Sequence, residues 1–143
     1  MKKAISVLMI AFVSVAIFSG CSKTIPAHSS PTGIMTATEA GVAFSSANCY
    51  ERSTAGYYNV YGVSGSTAIN LNIKSTNLTT GSYHIDSSGT NHSAGIAING
   101  NYKKASTGTI SVTTINAGAN MIGSFNFTCT DGTVVSGSYM AVF

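Results

Sequence analysis

The chain reads as all-β, an antiparallel sandwich or small barrel of about eight or nine short strands, and two observations carry that reading. Apolar residues recur at every second position along most of residues 34–143, as in Ile69-Leu71-Ile73 with Asn70 and Asn72 facing the other way, and no stretch sustains a 3.6-residue period. Each alternating run is also bounded by Gly, Asn, Ser or Asp clusters, which favour turns. The strands are expected around Met35 and Ala37, Val42 and Phe44, residues 57–63, Ile69 to Ile73, Tyr83 and Ile85, Ala94 to Ile98, Ile110 and Val112, residues 121–130 and residues 133–143. Short, evenly punctuated strands of this kind close into sandwiches or barrels. The last two runs flank Asp131-Gly132, a favoured two-residue hairpin turn. Such a turn sets Phe125 opposite Ser138 and Phe127 opposite Ser136, with Phe125, Phe127, Cys129, Val134, Met140 and Val142 on one face. A three-residue loop would instead turn Tyr139 and Phe143 inward.

Ahead of this domain lies a segment of different character. Lys2 and Lys3 precede an apolar stretch over residues 4–18, and Ser19-Gly20 supply small residues before Cys21. About 15 apolar residues fall short of the roughly 20 that span a bilayer. The pattern resembles a bacterial lipoprotein signal, with Phe18 in the place of the more usual Leu. The resemblance implies cleavage after residue 20 and lipidation of Cys21, the membrane being reached through the N-terminal lipid. Two or more acyl chains hold a protein stably, where one does so reversibly. Ser22, where an Asp would favour inner-membrane retention, implies the outer membrane, and Ser22-Lys23-Thr24-Ile25 carries no acidic run of the sort that accompanies surface export. The expected location is therefore the cell envelope, anchored to the outer membrane and facing the periplasm. Residues 21–33, with Pro26 and Pro31, read as the lipidated cysteine and a flexible tether, and residues 34–143 as one β-domain.

Beyond the leader the charges nearly cancel: Lys23, Arg52, Lys74, Lys103 and Lys104 stand against Glu39, Glu51, Asp86 and Asp131. A nucleic-acid-binding surface is not expected from such a balance. With Cys21 lipidated, Cys49 and Cys129 remain in a compartment that permits disulfides, so a bridge between them is the simplest arithmetic. Two buried free thiols are the alternative.

Gly81-Ser82-Tyr83, Gly123-Ser124-Phe125 and Gly137-Ser138-Tyr139 repeat a Gly-Ser-aromatic pattern at irregular spacing, which excludes a solenoid. It reads as strand entries where an aromatic ring covers the gap left by glycine. Together with Gly108-Thr109-Ile110-Ser111-Val112-Thr113, the run Ile122-Gly123-Ser124-Phe125-Asn126-Phe127-Thr128 and a Val-Val-x-Gly-x-Tyr ending, the pattern is similar to small Bacteroidota lipoproteins of a domain-of-unknown-function family. That resemblance implies a β-rich fold and a lipid anchor, and brings no active site with it.

Chemistry-bearing residues are sparse. His84 and Asp86 share one face of an expected strand and His92 follows, yet no clear fourth metal ligand exists, so neither metal nor cofactor is expected. Glycosidic chemistry needs two carboxylates about 5 to 10 Å apart, whereas Asp131 is accounted for by its turn and Glu51 by an exposed pair with Arg52. No G-x-S-x-G elbow, P-loop or H-E-x-x-H is present. Tyr57, Asn59 and Tyr61 share one strand face, with Tyr50 and Tyr58 nearby, and tyrosines beside an amide can stack on sugar rings while bonding to hydroxyls. The expected role is thus non-catalytic, binding or structural, with a glycan or an envelope protein as partner, and a small envelope hydrolase is the alternative. Two acids, or His84, Asp86 and His92, gathered in a concavity would favour the hydrolase, and an exposed tyrosine face would favour binding. The anchor is open to direct test: protein extracted from membranes should show, by intact mass, loss of residues 1–20 and acyl additions on Cys21, and Cys21→Ser should abolish both the additions and the membrane association.

Overall fold

The computed structural model describes residues 33–54 and 56–143, so Cys21, the leader and all of the tether but Gly33 lie outside the described residues. Nine strands and no helix occur among those described: β1 (Gly33–Glu39), β2 (Val42–Thr54), β3 (Tyr57–Ser64), β4 (Thr67–Lys74), β5 (Gly81–Ile85), β6 (His92–Ile98), β7 (Asn101–Asn116), β8 (Asn120–Cys129) and β9 (Val134–Val142). β1 to β4 form a meander, β4 pairs with β6, β6 to β9 form a second meander, and β9 returns to β1. The β7–β8 ladder completes the ring, so eight strands close into a barrel. β5, inserted between β4 and β6, lies outside that ring order and pairs with β7 at Ile110 and its neighbours, past the point where β6 leaves it at Lys104.

Alternation decides which side chains enter the barrel. In β4 Ile69, Leu71 and Ile73 are fully buried, and in β8 Met121, Phe125, Phe127 and Cys129 are buried with Gly123 between them. An eight-stranded barrel is just wide enough for side chains to fill, and here Val60, Ile96, Ile110, Met35 and Val135 join that core. Phe125 stacks on Phe127 at 6.0 Å and on Tyr139 at 6.4 Å between centroids. Losing a buried ring such as Phe127 typically costs about 3–5 kcal/mol.

Glycines leave room for the larger rings. Gly123 stands opposite Tyr139, and a Cβ there would come within 2.5 Å of the tyrosine hydroxyl and 2.0 Å of the Ser111 carbonyl oxygen. The Tyr139 hydroxyl donates to that same carbonyl at 3.2 Å. The Gly-Ser-aromatic pattern thus has a spatial counterpart across strands: the aromatic of one copy, at Tyr139, covers the glycine of another, at Gly123.

β2 runs through the polar sequence Ser45-Ser46-Ala47-Asn48, which does not read as a strand. The register between β1 and β2 slips there, since Met35 faces Ser46 but Gly33 faces Cys49. The buried Ser46 hydroxyl accepts from the Asn48 and Val63 amides at 3.0 and 3.1 Å and lies 2.6 Å from the Val63 carbonyl oxygen. It fills the gap that the bulge opens in the ladder.

Two expectations are corrected. The β8–β9 hairpin places Phe125 opposite Gly137 and Phe127 opposite Val135, so the favoured two-residue turn is not the one adopted. Cys129 and Thr133 bracket a three-residue loop: the Cys129 amide donates to Thr133, the Gly132 amide donates back to Cys129, and Gly132 takes φ 86°. This is a turn ending in a left-handed glycine, and Asp131 Oδ1 secures it by accepting from the Thr133 amide at 3.0 Å. Val135, Tyr139 and Ala141 consequently face inward in place of Val134, Met140 and Val142, while Phe143, at the chain end, stays exposed. The second correction concerns the disulfide, because Cys49 and Cys129 are both buried free thiols. Cys49 belongs to β2, where it faces Gly33 of β1 and Gly62 of β3, whereas Cys129 belongs to β8, where it faces Ala105 of β7, so the two thiols stand three strands apart by the shorter way round the ring. Three spacings of about 4.8 Å between neighbouring strands already exceed the ~7 Å that a bridge tolerates. Burial pushes the Cys49 thiol up to about 12 and raises Cys129 as well, so neither offers a reactive thiolate. Unreduced protein unfolded in denaturant should therefore take up thiol reagent at both Cys49 and Cys129, and the folded protein should react far more slowly; absence of thiols after unfolding would contradict this arrangement.

Candidate functional site

Because Val60 and Gly62 point into the barrel, Tyr57, Asn59 and Tyr61 of β3 point out. Strand pairing widens this into a face. Tyr50 stands opposite Tyr61, Tyr61 opposite Asn70, Asn70 opposite Gly95, and Gly95 opposite Lys104. A second row runs Arg52, Asn59, Asn72, Ser93, and a third Thr54, Tyr57, Lys74. The Tyr50 and Tyr61 rings stack with centroids 5.5 Å apart, and Lys74 Nζ sits 5.9 Å from the centre of the Tyr57 ring. Asn72 donates to Asn70 Oδ1 at 2.6 Å and to Ser93 Oγ at 3.0 Å, while Asn59 donates to the Arg52 carbonyl at 2.9 Å. The amides are held in place and the tyrosines are half-buried, so the surface is preorganised. Tyr102 extends it, lying across Gly95, where a Cβ would meet its ring at 2.4 Å.

The seam where β6 leaves β7 and β5 takes over forms a cleft of about 440 Å³, lined by Lys74, Ser82, Tyr83, His84, Asp86, Asn91 and His92. It gathers the three residues whose convergence would favour a hydrolase, but Asp86 and His92 are engaged in other bonds, and His84 Nδ1 lies 3.5 Å from the Thr109 hydroxyl. Asp86 Oδ1 accepts from the Ser88 hydroxyl and from the Gly89 amide at 2.7 Å, and these bonds hold its carboxyl below the usual range. His92 Nδ1 accepts from the Lys74 amide at 3.2 Å, which leaves Nε2 to carry the proton of the neutral ring. Burial lowers the His92 pKa, Asp86 opposing it and His84 and Lys74 adding to it. Tyr83 packs edge-on against His92 and gives its hydroxyl to the Thr79 carbonyl at 2.6 Å. Among the described residues no three His, Cys, Asp or Glu side chains converge on a point where a metal ion could sit.

The remaining acids are spread around the barrel. Glu39 follows Met35 and Ala37 on the inward side of β1, and Lys103, opposite the buried Ile96, is inward on β7. Lys103 Nζ lies 3.6 Å from Glu39 and 3.2 Å from Asp131, and donates to Thr133 Oγ1 at 3.0 Å, so an ionic cluster covers that end of the barrel. Bonds from Thr133, then Lys103, hold Asp131 down at about 2. A carboxyl kept ionised in this way cannot serve as a general acid. Glu51 forms no pair with Arg52, because neighbours along a strand face opposite ways: Arg52 is outside, and Glu51, opposite Val60, is turned inward with Oε1 buried and unpartnered.

Sequence reasoning found Tyr57, Asn59, Tyr61 and the outward Asn70 and Asn72, but not the membership of Arg52, Lys74, Lys104 and Tyr102, which only strand pairing brings to the same surface. No family model, curated protein or solved structure matches the chain.

Desolvation raises the Glu51 pKa above its ordinary value. The ionised form is thus penalised in the fold, so stability is fullest below the unfolded carboxyl pKa of about 4.3 and is lost as pH rises through the folded value. Glu51→Gln should stabilise the protein at pH 7 by about 1 kcal/mol, at the low end for an unsatisfied group because solvent screens the exposed part of the side chain. The difference should close near pH 4 in denaturant titrations.

Proposed function

We propose that the chain is a lipid-anchored envelope protein, held at Cys21 on the periplasmic side of the outer membrane, whose barrel is a non-catalytic recognition module. The observation that carries this reading is the outward face on which Tyr57, Asn59 and Tyr61 are joined by Tyr50, Arg52, Asn70, Asn72 and Lys74. Rigid amphipathic rings beside fixed amides offer contact area at little entropic cost. Tyr57 and Tyr61 are four strand positions apart, roughly 13 Å, so an oligomeric ligand suits the face better than a single small molecule. A glycan of the envelope fits that description. The leader pattern and the similarity to small lipoproteins support the anchored location, and residues 22–33 would hold the barrel clear of the membrane.

The hydrolase alternative draws on the cleft that holds His84, Asp86 and His92. Asp86 is committed to its own loop and His92 Nδ1 to the Lys74 backbone, which leaves neither as a free general base paired with a nucleophile. The cleft serves better as an extension of the binding surface, which it meets at Lys74.

Binding of the chain from residue 22 onward to glycan and peptidoglycan arrays tests the proposal. Tyr57→Ala and Tyr61→Ala should each weaken binding about tenfold, as for a central aromatic contact. Unchanged binding in both variants would remove this surface from consideration, and turnover of an arrayed glycan by the wild type would favour the hydrolase.

A further inference from the structure

Resting on that reading, we infer that the ligand of the tyrosine face is an acidic carbohydrate, a chain of sugars bearing carboxylates, with a carboxylate received by Lys74 where the face meets the β5–β6 cleft. The inference rests on how the charges are distributed. Among the described residues the cations are Arg52, Lys74, Lys103 and Lys104, and the acids Glu39, Glu51, Asp86 and Asp131. Lys103 is matched twice over by Glu39 and Asp131 at the far end of the barrel. Glu51 faces inward, and the Asp86 carboxylate, still charged, accepts from Ser88, Gly89 and Thr90 of its own loop and pairs with no cation. Arg52, Lys74 and Lys104 are left on the outer side of β2, β4 and β7, around the tyrosines, and none of them pairs with a carboxylate. Lys74 Nζ donates to the Thr90 carbonyl at 3.2 Å, and Lys104 Nζ to the Ser87 and Ser88 carbonyls at 3.1 and 3.3 Å. A chain of almost balanced charge thus presents one positive face.

The neutral groups on the face decide what kind of anion it takes. Stacked Tyr50 and Tyr61, the Tyr57 ring and the three asparagines offer flat apolar surface interleaved with paired donors and acceptors, which matches sugar rings and their hydroxyls. Three cations are too few for the counterion release that drives nucleic-acid binding. Of the large exposed apolar side chains, Ile34, Val42, Ile122 and Val134 belong to β1, β2, β8 and β9, and only Val63 and Tyr102 border the tyrosine patch, too little apolar surface there to serve membrane insertion. At Lys74 a ligand carboxylate would find the ammonium, Asn91 and Ser82 of the cleft, and the Nε2 proton of His92, with the ionised Asp86 on the same cleft and its Oδ1 turned to its own loop.

The experiment uses the full chain, expressed with its leader and extracted in neutral detergent, with calorimetric titration of three probes: a galacturonic acid oligomer, its methyl ester, and a galactose oligomer of the same length. The acidic oligomer should bind at least tenfold more tightly than either neutral probe. That advantage should shrink as salt is raised from 50 to 500 mM, as screening requires, and should disappear in Lys74→Gln and diminish in Arg52→Gln. Both side chains are exposed, so the variants should keep the wild-type circular dichroism. Equal affinity for acid and ester, with both still lost in Tyr57→Ala, would overturn the acidic ligand and leave the recognition face standing. An acidic advantage that survives in Lys74→Gln would overturn the assigned carboxylate position. Binding to polyglutamate or to anionic vesicles without binding to any sugar, or no binding at all, would overturn both this inference and the glycan reading beneath it.

Discussion

Closure of the sheet by the β7–β8 ladder is the constraint on which the rest of the molecule depends. Once eight strands meet in a ring, the interior has a fixed width, and each inward position must be filled without being overfilled. Large side chains therefore alternate with very small ones around the wall. Gly62 makes room for Met35, Gly123 for Tyr139, and Ala94 and Ala105 share the core with Ile96 and Ile110. Closure also explains the polar interruptions: the Ser46 hydroxyl mends the ladder where β2 slips, and Lys103, inward yet near the rim, finds carboxylates to match it at the open end.

The same ring divides the outer surface into two unlike halves. On the side formed by β2, β3, β4 and β6, outward positions hold tyrosine, asparagine, arginine and lysine. On the other side a row of hydroxyls runs across six strands, Ser45, Thr36, Ser138, Ser124, Ser111 and Ser82, each opposite the next. Thr36 and Ser138 lie 3.1 Å apart and bond to one another, as do Thr38 and Ser136 at 3.3 Å. Short hydroxylated side chains satisfy one another across a sheet and project little into solvent. The side bearing rings and charges is the one equipped to hold something.

Much of the fold was legible in the sequence because a period of two is dictated by backbone geometry and needs no knowledge of partners. All nine runs became strands, and even the outward setting of Asn70 and Asn72 followed from Ile69, Leu71 and Ile73. What escaped was what depends on pairing. The two- and three-residue readings of the loop after Cys129 differ by a single position, and local propensity favoured Asp131-Gly132 as a complete turn. The inner face was decided instead by which choice put Val135, Tyr139 and Ala141 in a core already bounded by Gly123. The disulfide failed for a related reason: counting thiols says nothing about where they stand in a ring, and Cys49 of β2 and Cys129 of β8 are three strands apart. In the candidate surface, Tyr57, Asn59 and Tyr61 are neighbours along one strand and could be seen. Tyr102, by contrast, reaches that side only through the pairing of β6 with β7.

Closure has a consequence for how the protein behaves in company. A sheet with open margins offers unpaired amides and carbonyls to any passing strand, and that is the usual route from a soluble β-protein to an aggregate. Here each of the eight ring members has a partner on both sides over part of its length, and among the described residues β5, five residues long, is the one strand that pairs along a single edge. That edge borders a cleft crowded by histidine, asparagine and lysine side chains. Many copies could therefore crowd onto one surface without zipping into fibrils, a property suited to a molecule that has to remain dispersed wherever it is concentrated.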